Sequence, residues 1–333
     1  MYLVNLSRFS TACLPAWSLT GEPLQVVCVA ARYQLPRGPG EVLRAAEQQP
    51  DPIVEDRHWG APGVSSLWME GQGGLPRPGA DIYVSGHAWA PQGRPVAVLL
   101  VSVRLGAIHQ QALVFGDRRW RRGITGMVAS EPDPFVSMPL CYERAFGGAA
   151  DPRNPVGCGF YSPLGAVDQP LPNIESRHQP ISDVHDRPEP VGFAPIARHW
   201  LSRAVFAGTY DEAWTEHRAP FWPEDVDTRF FHAAPPALQL PTRIRGGEWL
   251  ELEGLSVEGR IALQLPTTRI LLKNYHRGGE TRRLLDADAL HIEPDAGAIT
   301  LYHRATVLRG RGRDEWFASV VRELHDWEDV GYD

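Results

Sequence analysis

Glycine and proline punctuate this chain so often that they set the kind of structure it can build, with 32 glycines and 30 prolines among 333 residues. Proline fixes φ and removes a backbone donor, glycine admits positive φ, and both interrupt regular elements. Turns and short strands are therefore expected over most of the length. Hydrophobic residues at 43% and charged residues at 22% are ordinary for a soluble globular chain. The length is enough for two domains or one large one.

Strand signals gather at the two ends. "LQVVCVAARYQL", residues 24–35, is apolar and β-branched and runs into the turn "PRGPGE". Three further runs, Ile82 to Ala88, Val96 to Leu105 and Ile108 to Phe115, are separated by short glycine or proline turns and read as an antiparallel meander. After residue 236 come "EWLELEGL", "GRIALQL", "TRILLKNY", "ADALHIEP" and "GAITLYHRATVL", spaced as in a sandwich or barrel. In the tail "RDEWFASVVRELHDWED", Phe317, Val320, Val321, Leu324 and Trp327 recur at helical spacing behind Asp314, which predicts a short C-terminal helix.

Between these ends, from about Pro132 to Trp222, a turn signal falls every few residues. Structureless loops of that length are uncommon inside compact domains. The aromatics Tyr142, Phe146, Phe160, Tyr161, Phe193, Trp200, Phe206, Tyr210 and Trp214 argue for order, and "GTYDEAWTEHR" predicts a short helix capped by Thr209 or Asp211. The expected architecture is mainly β, with antiparallel sheets in a sandwich-like or barrel-like arrangement joined by a long ordered Gly/Pro-rich segment. The regions are 1–131, 132–235 and 236–333, as separate units or one continuous domain.

Charge narrows the partners. The formal net charge is -7, and Lys273 is the single lysine among 33 basic residues. Such a surface is repelled by phosphate backbones, which disfavours nucleic acid and anionic membranes. Cys13, Cys28, Cys141 and Cys158 form no CxxC pair and read as buried thiols, not zinc ligands. The N-terminal stretch lacks the features of a secretory signal, and no apolar run approaches a membrane span, so a cytoplasmic location is expected.

Motifs that carry chemistry are sparse. Glu143, in "CYERAFGG", is a candidate general acid or base, or else a partner for Arg144 or Arg153. Asn173 and Glu175 in "LPNIE", and Asp211 and Glu212 in "GTYDEAW", have the same two readings, with loop bracing favoured. Glu224, Asp225 and Asp227 are oxygen donors for a hard cation, but they lack EF-hand spacing and have Arg229 beside them. The histidines are scattered singly, and no GxSxG, P-loop or GxGxxG is present. No metal or cofactor is expected, and the pattern suits a binding module better than an enzyme.

The succession "YERAFGG", "NPVGCGF", "LPNIE", "VGFAPIARHW", "AGTYDEAW", "PEDVDTRFFHAAP" and "RGGEWLELEGL" resembles the bacterial family called domain of unknown function 2169. Order and spacing agree over residues 139–260, and looser agreement extends to about residue 305. The resemblance implies a type VI secretion adaptor or chaperone that holds a PAAR-bearing effector for loading onto the VgrG spike. Its signature falls on Tyr142, Glu143, Phe146, Asn154, Asn173, Glu175, Tyr210, Asp211, Trp214, Asp225, Asp227 and Arg229, as fold core or partner surface. It transfers no catalytic residue. Two other readings stand beside it: a hydrolase of cell-wall or carbohydrate material using Glu143 with Asp211 or Asp227, and a carbohydrate-binding β module stacking sugars on tryptophan and tyrosine.

Overall fold

The computed structural model describes residues 2–36, 43–124, 126–162 and 165–325. The main strands of its three larger sheets are β1 (Tyr2–Asn5), β2 (Ser10–Trp17), β3 (Pro23–Gln34), β4 (Ala80–Val84), β5 (Val98–Leu105), β6 (Ile108–Phe115), β7 (Ile174–Ser176) and β8 (Gln239–Leu240). They continue with β9 (Trp249–Glu253), β10 (Ile261–Gln264), β11 (Ile270–His276), β12 (Gly279–Leu285), β13 (Ala287–Glu293), β14 (Ala298–Leu308) and β15 (Trp316–Glu323). Two short helices, α1 (Leu201–Ala204) and α2 (Glu212–His217), lie in the irregular middle.

The protein is mainly β. A seven-stranded sheet runs β8-β4-β13-β14-β3-β2, with the two-residue strand Arg44–Ala45 paired to β3 off that path. A five-stranded sheet runs β7-β6-β5-β9-β10, and a four-stranded sheet runs β1-β15-β11-β12. Pairing is mostly antiparallel, but β1 lies parallel to β15 and β4 parallel to β13. No closed barrel forms among the described residues. Because β3 pairs with β14, the large sheet draws strands from both ends of the chain.

All five strand candidates after residue 236 are present, as β9, β10, β11, β13 and β14. The meander is corrected to one hairpin, β5–β6. Its first run divides: β4 enters the large sheet, whereas His87–Trp89 pairs with Ser137–Pro139. Gly86 marks the division, where a Cβ would stand 2.9 Å from the Pro294 ring, a pass that only glycine makes without a shift.

The expected C-terminal helix is also corrected, since Trp316–Glu323 is the strand β15. It is held by β11 on one side and β1 on the other, with Ser319 and Val321 buried. A register shift leaves Phe317 without a partner in β11, between the pairs His276–Trp316 and Tyr275–Ala318. That bulge breaks the two-residue alternation and lets the apolar spacing imitate a helix. Trp327, the last residue of the expected helix face, lies outside the described residues.

The large sheet has two unlike faces. Val27, Val29 and Ala31 of β3, Leu301 and Ile299 of β14, Leu290 and Ile292 of β13, and Ile82 and Val84 of β4 give one buried apolar face. Register places Tyr83, His291, Thr300 and Arg32 in one row across the opposite face, and Asp81, Ala289, Tyr302 and Ala30 in the next. Most of these polar residues are also buried, so they need partners.

Candidate functional site: the polar face of the large sheet

At one end of that face lies a buried ionic network. Asp81 is fully buried and is the acceptor for Arg77 Nε at 2.7 Å, His232 Nδ1 at 2.6 Å, the amides of Ala233 and Ala234 at 2.7 and 3.1 Å, and the Tyr83 hydroxyl. Arg304 grips Asp288 through Nε and Nη2, at 2.9 and 2.7 Å to the same oxygen. Glu70 accepts from Arg203 at 2.9 Å, Arg198 at 3.2 Å and Arg77 at 3.3 Å. Arg203 comes from α1 and also binds the carbonyls of Ile196 and Phe230, tying the irregular segment to the sheet.

Burial alone would raise the carboxyls of Glu70, Asp81 and Asp288. The guanidiniums more than offset it: Arg203, Arg198 and Arg77 around Glu70, Arg77 first at Asp81, and Arg304 first at Asp288. All three titrate below the usual carboxylate range. A cleft of about 520 Å³ opens over Glu70, Arg203 and Arg304, walled by Trp222, Phe230 and Phe231.

Toward the other end is a larger cleft of about 1110 Å³. Arg32, Glu293, Thr300 and Tyr302 form its floor, Trp68 one wall, and residues 44–51 another. Beside it His291 is fully buried, edge-to-face with Trp68 at 5.0 Å between ring centroids, and neither ring nitrogen is hydrogen bonded among the described residues. Burial pushes its pKa down to about 4.

The signature residues lie outside both clefts and divide into two sets. Tyr142, Phe146, Asn154, Asn173 and Glu175 are buried. Tyr142 meets Trp200 edge-on at 5.1 Å, above Gly192, where a Cβ would come within 2.6 Å of the phenol ring. Asn154 donates to the carbonyls of Tyr142 and Phe146 at 2.8 and 3.0 Å, closing the loop between them. Asn173 donates to the Phe115 carbonyl and to Asp117, and accepts from Arg144. Glu175 binds Arg118 and accepts the Ile181 amide; burial raises its carboxyl more than Arg118 lowers it.

Glu143 has neither expected partner. Its oxygens accept the Ser66 amide at 2.7 Å and the Ser66 hydroxyl at 2.6 Å, whereas Arg144 pairs with Asp117, and Arg153 with Asp151 and Glu189. The second set is exposed or half-buried. Asp211, not Thr209, caps α2 by accepting the Trp214 amide, and Trp214 stacks edge-on with Tyr210 at 4.7 Å. Asp225 holds the amide and hydroxyl of Thr209. Asp227 caps the turn Thr228–Phe231 and pairs with Arg229, whose guanidinium lies 4.2 Å from the centre of the Phe206 ring.

The motifs therefore pointed to the braces of the irregular segment and missed the ionic network. A signal was present at Asp81, the one charge in the run "ADIYV", whereas Asp288 and Arg304 share their strands with other polar residues. Among the described residues no group of three or more His, Cys, Asp or Glu side chains is arranged to hold a metal, and no helix is long and apolar enough to cross a membrane.

Comparison with known proteins adds one match. A family model described as "Uncharacterized protein conserved in bacteria (DUF2169)" matches residues 20–304. No curated protein and no solved structure matches the chain. The matched span holds both clefts, the ionic network and every signature residue, and the chain belongs to this family of uncharacterized bacterial proteins.

Proposed function

We propose that the chain is a non-catalytic adaptor or chaperone of type VI secretion, which binds a PAAR-bearing or other effector protein in the bacterial cytoplasm and delivers it to the VgrG spike. The observation that carries this reading is the use to which the signature carboxylates are put. Glu143, Glu175, Asp211, Asp225 and Asp227 each hold a nearby amide, hydroxyl or guanidinium, so the long Gly/Pro-rich segment is braced as a fixed surface. A fixed surface binds a partner without first losing conformational entropy. An exposed apolar edge points the same way, since β1 ends the four-stranded sheet and exposes Tyr2 and Val4, which lie opposite Ala318 and Val320 of β15. Such edges pair readily with another chain.

The hydrolase reading needs two carboxylates about 5–10 Å apart in one cleft. Glu143 is engaged with Ser66, while Asp211 caps α2 and Asp227 caps the turn Thr228–Phe231. A sugar platform on Trp200 is disfavoured because that ring is 1% exposed.

Co-expression with a PAAR-bearing effector, followed by size-exclusion chromatography, tests the proposal. A co-eluting complex and an effector yield that depends on this chain are expected. No complex, with unchanged yield, would overturn it.

A further inference from the structure

The cleft above β3, β13 and β14 has a matched floor and an unmatched rim. On the floor Arg32 pairs with Glu293 and donates to the Thr300 hydroxyl. On the rim Arg44, Glu47, Asp51 and Arg57 are exposed, and among the described residues none forms a side-chain hydrogen bond or ion pair. Two cations and two anions thus face one opening.

These rim charges are presented by a strap that is itself pinned. Gln49 accepts the Arg32 amide at 2.9 Å and donates to the carbonyls of Arg32 and Ala46 at 2.9 and 2.8 Å, and its own carbonyl accepts the Ser10 hydroxyl. Residues 44–51 are therefore held against β3 before any ligand arrives, which lowers the ordering cost of binding.

The floor excludes one mode of capture. β3 is paired with β2 and β14, β14 with β3 and β13, and β13 with β14 and β4. Its ladder groups are taken, so an occupant cannot be added as a strand and must be read by side chains. The volume of about 1110 Å³ exceeds the roughly 300–1,000 Å³ of small-molecule pockets. A neutral sugar would leave the rim charges unused, and a simple anion would meet Glu47 and Asp51.

We infer that this cleft takes a short, polar polypeptide segment carrying both acidic and basic side chains, its acids toward Arg44 and Arg57 and its bases toward Glu47 and Asp51. The inference rests on the adaptor reading for one point, that the segment belongs to the cargo.

The test selects short random peptides displayed against the full chain and measures their binding by fluorescence anisotropy. Wild type is compared with Arg57→Glu and Asp51→Arg, exposed changes that leave the fold intact, and with Arg121→Glu on a different surface. Selected peptides should carry both charges and weaken about tenfold or more with either rim reversal but not with Arg121→Glu. A peptide with its acid changed to a base should regain affinity for Arg57→Glu. Failure to select any peptide, reversals without effect, or displacement of peptide by chitotriose would each overturn the inference. Co-elution separates the two ideas: effector bound equally by wild type and both rim variants removes the cleft and leaves the adaptor. Peptides behaving as expected, with no effector bound by wild type, support the cleft and remove the adaptor.

Discussion

Glu143 closes on Ser66, a residue 77 positions earlier, with one carboxylate oxygen on its amide and the other on its hydroxyl. The contact fastens the start of the irregular segment to the chain that covers the polar face of the large sheet. It uses the acceptor pair that a catalytic role would need.

Glu143→Gln keeps one acceptor and loses the charge. Hydrogen bonds to a charged group contribute about 1.5–3 kcal/mol, so a loss of about 1–2 kcal/mol in urea unfolding is expected, and Ser66→Ala should lose less because the amide bond remains. A double variant should cost less than the sum, the mark of a shared contact. Wild-type stability in both single variants would remove Glu143 from the bracing role.

The pair Arg304 and Asp288 is buried with little exposure on either side chain. Removing one partner of such a pair typically costs about 3–5 kcal/mol, because the other charge is left unpaired. Arg304→Met should therefore destabilise strongly, and adding Asp288→Leu should recover part of the loss. Arg77 limits the recovery, since its amide also donates to Asp288 at 3.1 Å. Denaturant midpoints of the two variants measure it, and a double variant no better than the single would place the cost elsewhere.

Stability should fall as acid is added, starting above the carboxylate range. An unfolded histidine takes up its proton near pH 6.5, whereas buried His291 resists until about 4. Between those values the unfolded chain binds more protons, so the stabilising contribution is complete above about pH 6.5 and is lost by about pH 4, roughly 3 kcal/mol in all. His303, whose pKa burial also lowers, adds in the same direction. Glu70, Asp81 and Asp288 have depressed carboxyls, so they extend the loss below the usual carboxylate range. Unfolding midpoints from pH 7 to 4.5 should fall less steeply for His291→Leu than for wild type. Equal slopes would show that His291 is not the titrating group.

The β architecture was readable because apolar strands bounded by glycine and proline depend on local pattern, and β9, β10, β11, β13 and β14 all lie where that pattern puts them. β12 carries no apolar strand signal, because its "GETRRLL" is mostly polar on a partly exposed strand. The tail reads as a helix because the bulge at Phe317 falsifies its period. The ionic network was out of reach for a different reason. Arg77 and Asp288 stand 211 positions apart, and only the parallel pairing of β4 with β13 brings their neighbourhoods together. A charge inside an apolar strand announces that it needs a partner, but not which one.

That β3 pairs with β14 governs the order in which the chain can mature during synthesis. β2 and β3 emerge before β14 and can form a hairpin, but one side of β3 waits for residues 298–308. Until then an apolar strand has an open edge, the condition under which nascent chains aggregate. Closure of so long a loop makes folding slow compared with that of a helical protein of similar stability. The large sheet, its polar face and both clefts are thus completed together, once residues 298–308 have been made.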